Sequence, residues 1–297
     1  MYSRMLIPLD GSKVAEQVLP YARYLAKALN LSIELFQAVD AAALEVLANP
    51  AQGRYVDTLL NEKRASSAEY LETVGRAFET VRVSSVVEIG KPEDLILESA
   101  AADPKSLIIM ATHGRSGFQR WVLGSVADKV VHGVVNDLLL VRASEQGNTE
   151  GAATLTKVIV PLDGSPLAEK VLPRVVELGT HMPLEVILIR AYALPSPIAP
   201  NEYAGYSQEL FDQLEVEAKY YLSEKAKELA AQGLTKISSV IDMGYGAEEI
   251  IALAHKTPGD FIAMCTHGRS GVKRWALGSV TDRVVRHSGD PVLIIRA

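Results

Sequence analysis

Residues 111–129 read ATHGRSGFQRWVLGSVADK, and residues 265–283 read CTHGRSGVKRWALGSVTDR. The two stretches are identical at 13 of 19 positions. Each holds a glycine after a histidine, then nine residues, then Gly-Ser: Gly114 to Gly124-Ser125, and Gly268 to Gly278-Ser279. Each follows a short apolar run, Leu107 to Met110 or Phe261 to Met264, and precedes a segment that reads as a helix. A strand that runs into a glycine loop, which then opens a helix, is suited to holding phosphate. Backbone N–H groups point outward there, and the helix start adds partial positive charge.

The repetition extends outward from this loop. MLIPLDGS at Met5 to Ser12 matches VIVPLDGS at Val158 to Ser165. Asp10 maps onto Asp163 with an offset of 153, and Gly114 onto Gly268 with an offset of 154. The chain is therefore one unit written twice, and a repeat of this kind governs the reading of every element. Between the copies, residues 144–155 read SEQGNTEGAATL, small and polar without periodicity, which predicts a flexible linker. The expected domains are 1–143 and 156–297. A length of 297 residues suits two domains of ordinary size.

In the first copy, strands are expected at Arg4 to Leu9, Ser32 to Val39, Val81 to Ile89, Ser106 to Thr112 and Leu138 to Arg142. Ser12 is the expected N-cap of a helix from Lys13 to Leu29. Val14, Val18, Tyr21, Leu25 and Leu29 recur along it at helical spacing. A long amphipathic helix is expected from Tyr55 to Phe78, a short one from Pro92 to Ala102, and another from Ser125 to Gly133. Residues 41–53 read as part helix, part loop. The second copy repeats the plan, with strands at Lys157 to Leu162, Leu184 to Ala191, Lys236 to Asp242, Asp260 to Thr266 and Pro291 to Arg296. Strands alternating with helices predict right-handed crossovers and a parallel sheet covered on both faces. The fold class is α/β, two tandem doubly wound domains with five-stranded parallel sheets.

Composition narrows the function classes. A formal charge of −6 and no Lys/Arg-rich block argue against nucleic acid as partner. The single cysteine, Cys265, allows no intrachain disulfide and fits a reducing compartment. No apolar run approaches the roughly 18 residues of a membrane span. The start, MYSRMLIPLDGS, lacks the layout of a signal peptide. The expectation is a soluble cytoplasmic protein without membrane contact.

In doubly wound sheets, ligands sit at the carboxyl ends of the strands where the winding reverses. If strands one and four flank that point, Asp10 meets Gly114, and Asp163 meets Gly268. An aspartate beside a sugar or metal and a glycine loop beside phosphates then share one pocket. Asp-Gly after a strand is also ordinary turn chemistry; its coincidence with the glycine loop in both copies favours the functional reading. The loop is neither a G-x-x-x-x-G-K-[ST] motif nor a dinucleotide fingerprint. His113 and His267 read as hydrogen-bonded loop histidines before bases or ligands. No further His or Cys stands at zinc spacing. Arg115 and Arg269 reach a phosphate or solvent with equal ease. Trp121 and Trp275 pack their segment onto the domain or line an interface. The charged faces of the long helices read as solvated, and Cys265 as a buried thiol.

PLDGS followed far downstream by THG-x9-GSV resembles the universal stress protein family in its tandem form, over the whole chain except the linker. Members that bind ATP carry G-x-x-G-x9-G-[ST] in a Rossmann-like fold. The resemblance implies phosphate contacts from Gly114, Gly124, Ser125 and Val126, and from Gly268, Gly278, Ser279 and Val280. It implies that Asp10 and Asp163 lie near the ribose and any Mg²⁺, within turns Pro8 to Ser12 and Pro161 to Ser165 that include Gly11 and Gly164. Ala38 and Val39, or Ala191 and Tyr192, would line the adenine, with Met110 and Met264 behind the nucleotide. Ala111, His113 and Arg115, and Cys265, His267 and Arg269, complete the two expected sites. The family's first motif glycine is Ala111 here and Cys265 in the second copy. An added Cβ crowds the ribose if that position needs close backbone approach, and costs little if its φ is ordinary.

Nothing resembles an activated nucleophile with its base. The functional expectation is an ATP-binding regulator of the stress response with little or no catalysis, whose partner proteins depend on nucleotide state. The alternatives are an interaction module that binds no nucleotide and a slow Mg-dependent ATPase. The family also implies pairing of fifth strands, so Leu138 to Val141 is expected beside Val292 to Ile295 as an intrachain pseudo-dimer; a homodimer of whole chains is left open.

Overall fold

A computed structural model describes residues 1–41, 53–78, 80–113, 123–143, 147–151, 153–192, 208–257, 259–266 and 277–296. These form two compact units, Met1–Thr154 and Leu155–Ile295. In the first unit the strands are β1 Arg4–Pro8, β2 Ser32–Val39, β3 Val83–Ile89, β4 Ser106–Ala111 and β5 Leu138–Val141. All pair in parallel, in the order β3-β2-β1-β4-β5. The register sets Arg4 beside Ser32 on one flank and beside Ser106 on the other. The helices are α1 Leu19–Leu29, α2 Gly53–Gly75, α3 Pro92–Ala102 and α4 Ser125–Gly133.

The second unit repeats this. Its strands are β6 Lys157–Pro161, β7 Glu185–Tyr192, β8 Ile237–Met243, β9 Asp260–Cys265 and β10 Val292–Ile295, in the order β8-β7-β6-β9-β10. Its helices are α5 Leu172–His181, α6 Gln208–Ala231, α7 Gly246–Lys256 and α8 Ser279–His287. The five-stranded parallel sheets expected from the alternating pattern are thus present in both units. Central strands are apolar on both faces, as a parallel sheet covered by helices requires: Met5, Leu6, Ile7, Ile108 and Ile109 are all fully buried.

The first helix departs from the expected single span. Ser12 Oγ accepts from the Ala15 N–H at 3.1 Å, so Ser12 does cap. What it caps is a 3₁₀ turn, Ala15–Val18, before α1 begins. The second unit has the same break, with Ala168–Val171 ahead of α5 and Ser165 Oγ accepting from the Ala168 N–H. Proline explains both. Pro20 and Pro173 sit in the first turn of their helices and lack the N–H that would continue an α ladder backwards.

The polar stretch between the repeats is less free than its composition suggests. Arg23 on α1 donates to the carbonyls of Thr149, at 2.6 Å, and Gly151. The Ala153 N–H donates to Pro20 O at 3.1 Å. A guanidinium with several donors can hold carbonyls that would otherwise face water. Residues 42–52, part of the segment read as mixed helix and loop, lie outside the described residues.

Candidate functional site

β1 lies between β2 and β4, so the chain winds away from it in two directions, and the crevice at its carboxyl end is the switch point. Two loops enter there. After β1, the Asp10 Oδ1 accepts from the Ser12 N–H at 2.9 Å, which closes a tight Asx turn around Gly11 at φ +83°. The second unit is a near copy, with Asp163 Oδ1 accepting from Ser165 at 2.9 Å and Gly164 at φ +84°. Asp10 and Asp163 therefore do turn chemistry and border a cavity at once.

After β4, the Gly124 N–H donates to Thr112 O at 2.8 Å, and the Gly278 N–H donates to Thr266 O at 2.7 Å. Gly124 and Gly278 are extended N-caps, each without a side-chain cap hydrogen bond. The next backbone N–H groups, at Ser125, Val126 and Ala127, belong to the first turn of α4, where donors have no partner within the helix. Those residues line the first cavity, as Ser279, Val280 and Thr281 line the second. The Thr281 Oγ1 donates to Cys265 O at 3.0 Å and braces that helix start against its strand.

The first cavity encloses about 420 Å³ and the second about 280 Å³. Small-molecule sites commonly span about 300–1,000 Å³, so the first lies within that range and the second just below it. Of the expected residues, the first cavity gathers Pro8, Asp10, Ala38, Val39, Met110, Ala111, His113, Gly124, Ser125 and Val126. Gly11 and Ser12 are not part of its wall. The second gathers Pro161, Asp163, Ala191, Met264, Cys265, Gly278, Ser279 and Val280, while Gly164, Ser165 and Tyr192 are not part of its wall. Gly114, Arg115, His267, Gly268, Arg269, Trp121 and Trp275 lie outside the described residues. His113 Nδ1 is 3.1 Å from Thr112 Oγ1, a loop hydrogen bond.

The alanine and cysteine in the glycine position are accommodated. Asn30 is the one non-glycine residue with positive φ among the described residues. Ala111 and Cys265 are the last residues of their strands, paired with Val141 and Ile295. Their backbone is ordinary for any L-residue. Cys265 is buried, and its Sγ lies 3.7 Å from Ala168 O.

The far walls are not legible in the sequence. Phe36, Asp40, Lys63, Pro92 and Ile96 border the first cavity, and Ile189, Gly246 and Ile250 the second. The last residues of β2 and the start of α3 converge only through sheet order, and Lys63 sits on a helix whose charges read as solvated. Among the described residues, no group of three or more His, Cys, Asp or Glu side chains converges on a metal site. A divalent ion at Asp10 or Asp163 would rely on ligand phosphates and water, as Mg²⁺ usually does.

Fold and site define a class: tandem doubly wound α/β domains, each with a cavity where a helix start meets an Asp-Gly-Ser turn. The chain belongs to the universal stress protein family, whose model matches residues 1–142 and again 154–296. It is similar to Universal stress protein Slr1230 of Synechocystis, 23% identical over 98% of this chain and 99% of the relative. It is also similar to Universal stress protein MJ0577 of Methanocaldococcus jannaschii, 31% identical over 47% of this chain and 94% of that protein. The crystal structure of a universal stress protein from Archaeoglobus fulgidus shares the fold over 99% of this chain and 98% of its own, with a TM-score of 0.69 at 20% identity.

Proposed function

We propose that the chain is an adenine-nucleotide-binding regulatory protein of the stress response, with a site in each half and little or no catalysis. The observation that carries this reading is the start of α4, and of α8, capped by a glycine with no side-chain hydrogen bond and bordering a cavity that an aspartate turn borders from the neighbouring strand. Helix-start N–H groups suit phosphate oxygens. Asp10 and Asp163 suit ribose hydroxyls, which donate to carboxylates. The apolar walls, with Phe36, Val39, Ile96 and Met110, suit a purine ring. ATP, with Mg²⁺ supplied through its phosphates, is the ligand this combination favours.

Weak catalysis is proposed because the Asp10 Oδ1 is engaged by Ser12, and the hydroxyl–imidazole contact at the first cavity, Thr112 Oγ1 to His113 Nδ1 at 3.1 Å, joins two neighbours within the loop. Among the described residues, no helix is long and apolar enough to cross a membrane, and the proposed place of action is the cytoplasm. The pairing of Leu138–Val141 with Val292–Ile295 is likewise a proposal, supported by the internal repeat, and nucleotide-dependent protein partners follow from the regulatory reading.

Isothermal titration of the full chain with MgATP tests the proposal. Saturable heat and a raised melting temperature are expected. Absence of both at millimolar nucleotide would leave an interaction module without nucleotide. A phosphate-release assay addresses hydrolysis, with turnover at background expected in wild type and in Asp10→Ala alike.

A further inference from the structure

Among the described residues the two cavities differ in their charged lining: Asp10, Asp40 and Lys63 border the first, and Asp163 the second. Lys63, on α2, is half-buried and borders the first cavity. It is the one Lys or Arg among the described residues lining that cavity, which two carboxylates, Asp10 and Asp40, also border. Its ammonium has no hydrogen-bond or ion-pair partner among the described residues. Four other helix lysines are paired, while Lys27 and Lys256, which border neither cavity, have no partner among the described residues. Lys219 pairs with Glu215, Lys225 with Glu169 and Glu228, Lys227 with Glu224, and Lys129 with Glu93.

The second copy lacks this lysine. Tyr70 OH donates to Glu16, and Tyr221 OH donates to Glu169 in the matching place. Ser67 and Leu71 are buried on α2, as Ala218 and Leu222 are buried on α6. These matches fix one register between the two helices, and that register puts Leu214 where Lys63 stands. No Lys or Arg among the described residues lines the second cavity, which is also the smaller.

A lysine without a partner among the described residues, on the wall of a cavity that two carboxylates and a helix start also border, has a plain use. It supplies positive charge to an anionic ligand that the carboxylates alone would repel. We propose that Lys63 reads the phosphate charge of the nucleotide in the first cavity, and that the second cavity, with no Lys or Arg on its described wall, binds the same nucleotide more weakly. The inference rests on the nucleotide reading of both sites and adds which half is tighter and why.

Calorimetric titration of the full chain with ATP and with adenosine, on wild type, K63Q and K63R, tests it. Wild type should show two ATP phases of unequal affinity. K63Q should weaken the tighter phase about tenfold, the scale of one charge-assisted hydrogen bond, and shift adenosine by less than about twofold. K63R should keep most of the ATP affinity, and all three proteins should melt alike. Unchanged ATP affinity in K63Q, equal loss of ATP and adenosine, or two equal phases in wild type would each overturn the assignment. A wild-type chain that binds no ATP overturns the nucleotide reading itself, and this inference with it. Binding of ATP without dependence on Lys63 overturns the inference alone.

Discussion

Gly11 and Gly164 hold the left-handed conformation in the two Asp-Gly-Ser turns, at φ +83° and +84°. A Cβ there costs about 1–2 kcal/mol, because the following carbonyl crowds it. Gly164→Ala should therefore lower stability by about that amount in a urea melt, and Gly11→Ala by as much. Ala111 presents the opposite case. Its φ is ordinary, so restoring the family's glycine should destabilise by about 0.5–1 kcal/mol through strand entropy. ATP affinity of Ala111→Gly should stay within about twofold of wild type, a difference well under 1 kcal/mol. The departure at Ala111 and Cys265 was visible in the sequence, and its cost was not. The sequence names the side chain, while φ is set by pairing with Val141 and Ile295 across the sheet.

At the scale of elements, α4 and the long second-copy helix α6 carry separate tests. Ser125 is exposed at the first position of α4, where carboxylates stabilise a helix start by roughly 0.3–1 kcal/mol. Ser125→Asp should raise the melting temperature slightly and weaken ATP at that site, since the new charge repels phosphate. Opposite signs in the two measurements distinguish a phosphate site from a plain helix start. On α6, Tyr221 OH donates to Glu169 at 2.8 Å, and Arg190 lies 4.8 Å from its ring centroid. Burial first, then the Glu169 bond, pushes its phenol well above the usual range. A raised folded value means that the neutral form is favoured by folding. That stability is present below tyrosine's ordinary value of about 10 and is lost as pH rises beyond it toward the folded value. Tyr221→Phe should flatten the fall of melting temperature above about pH 10. The matching Tyr70 bond to Glu16 is longer, 3.3 Å, so Tyr70→Phe should cost less than Tyr221→Phe.

At the scale of the molecule, the fold was legible because three signals agreed: the repeat, the strand–helix alternation and the turn residues. β1 with Leu6 and Ile7, and β4 with Ile108 and Ile109, were readable as buried strands from their unbroken apolar runs. The broken first helices were missed because a proline in a first helical turn marks a start without saying what precedes it. The near wall of each cavity was legible, since Asp10 and Gly124 follow strands one and four. The far wall was not: Lys63, Pro92 and Ile96 reach the cavity through packing of helices that are distant in sequence. Duplication predicts two sites per chain, and the Lys63–Leu214 difference predicts that they fill in sequence. Intrachain pairing of fifth strands has its own test. A Leu139→Cys/Leu293→Cys chain is expected to form an intramolecular cross-link with a short bismaleimide, and only intermolecular products would contradict it.

Helix starts at the two winding switches are proposed to hold nucleotide phosphate. Equilibrium dialysis of labelled ATP against wild type and a Ser125→Asp/Ser279→Asp double variant tests this most directly. Up to two ATP per wild-type chain are expected, with strongly reduced binding to a double variant that melts no lower than wild type. Undiminished ATP binding by the folded double variant would contradict it.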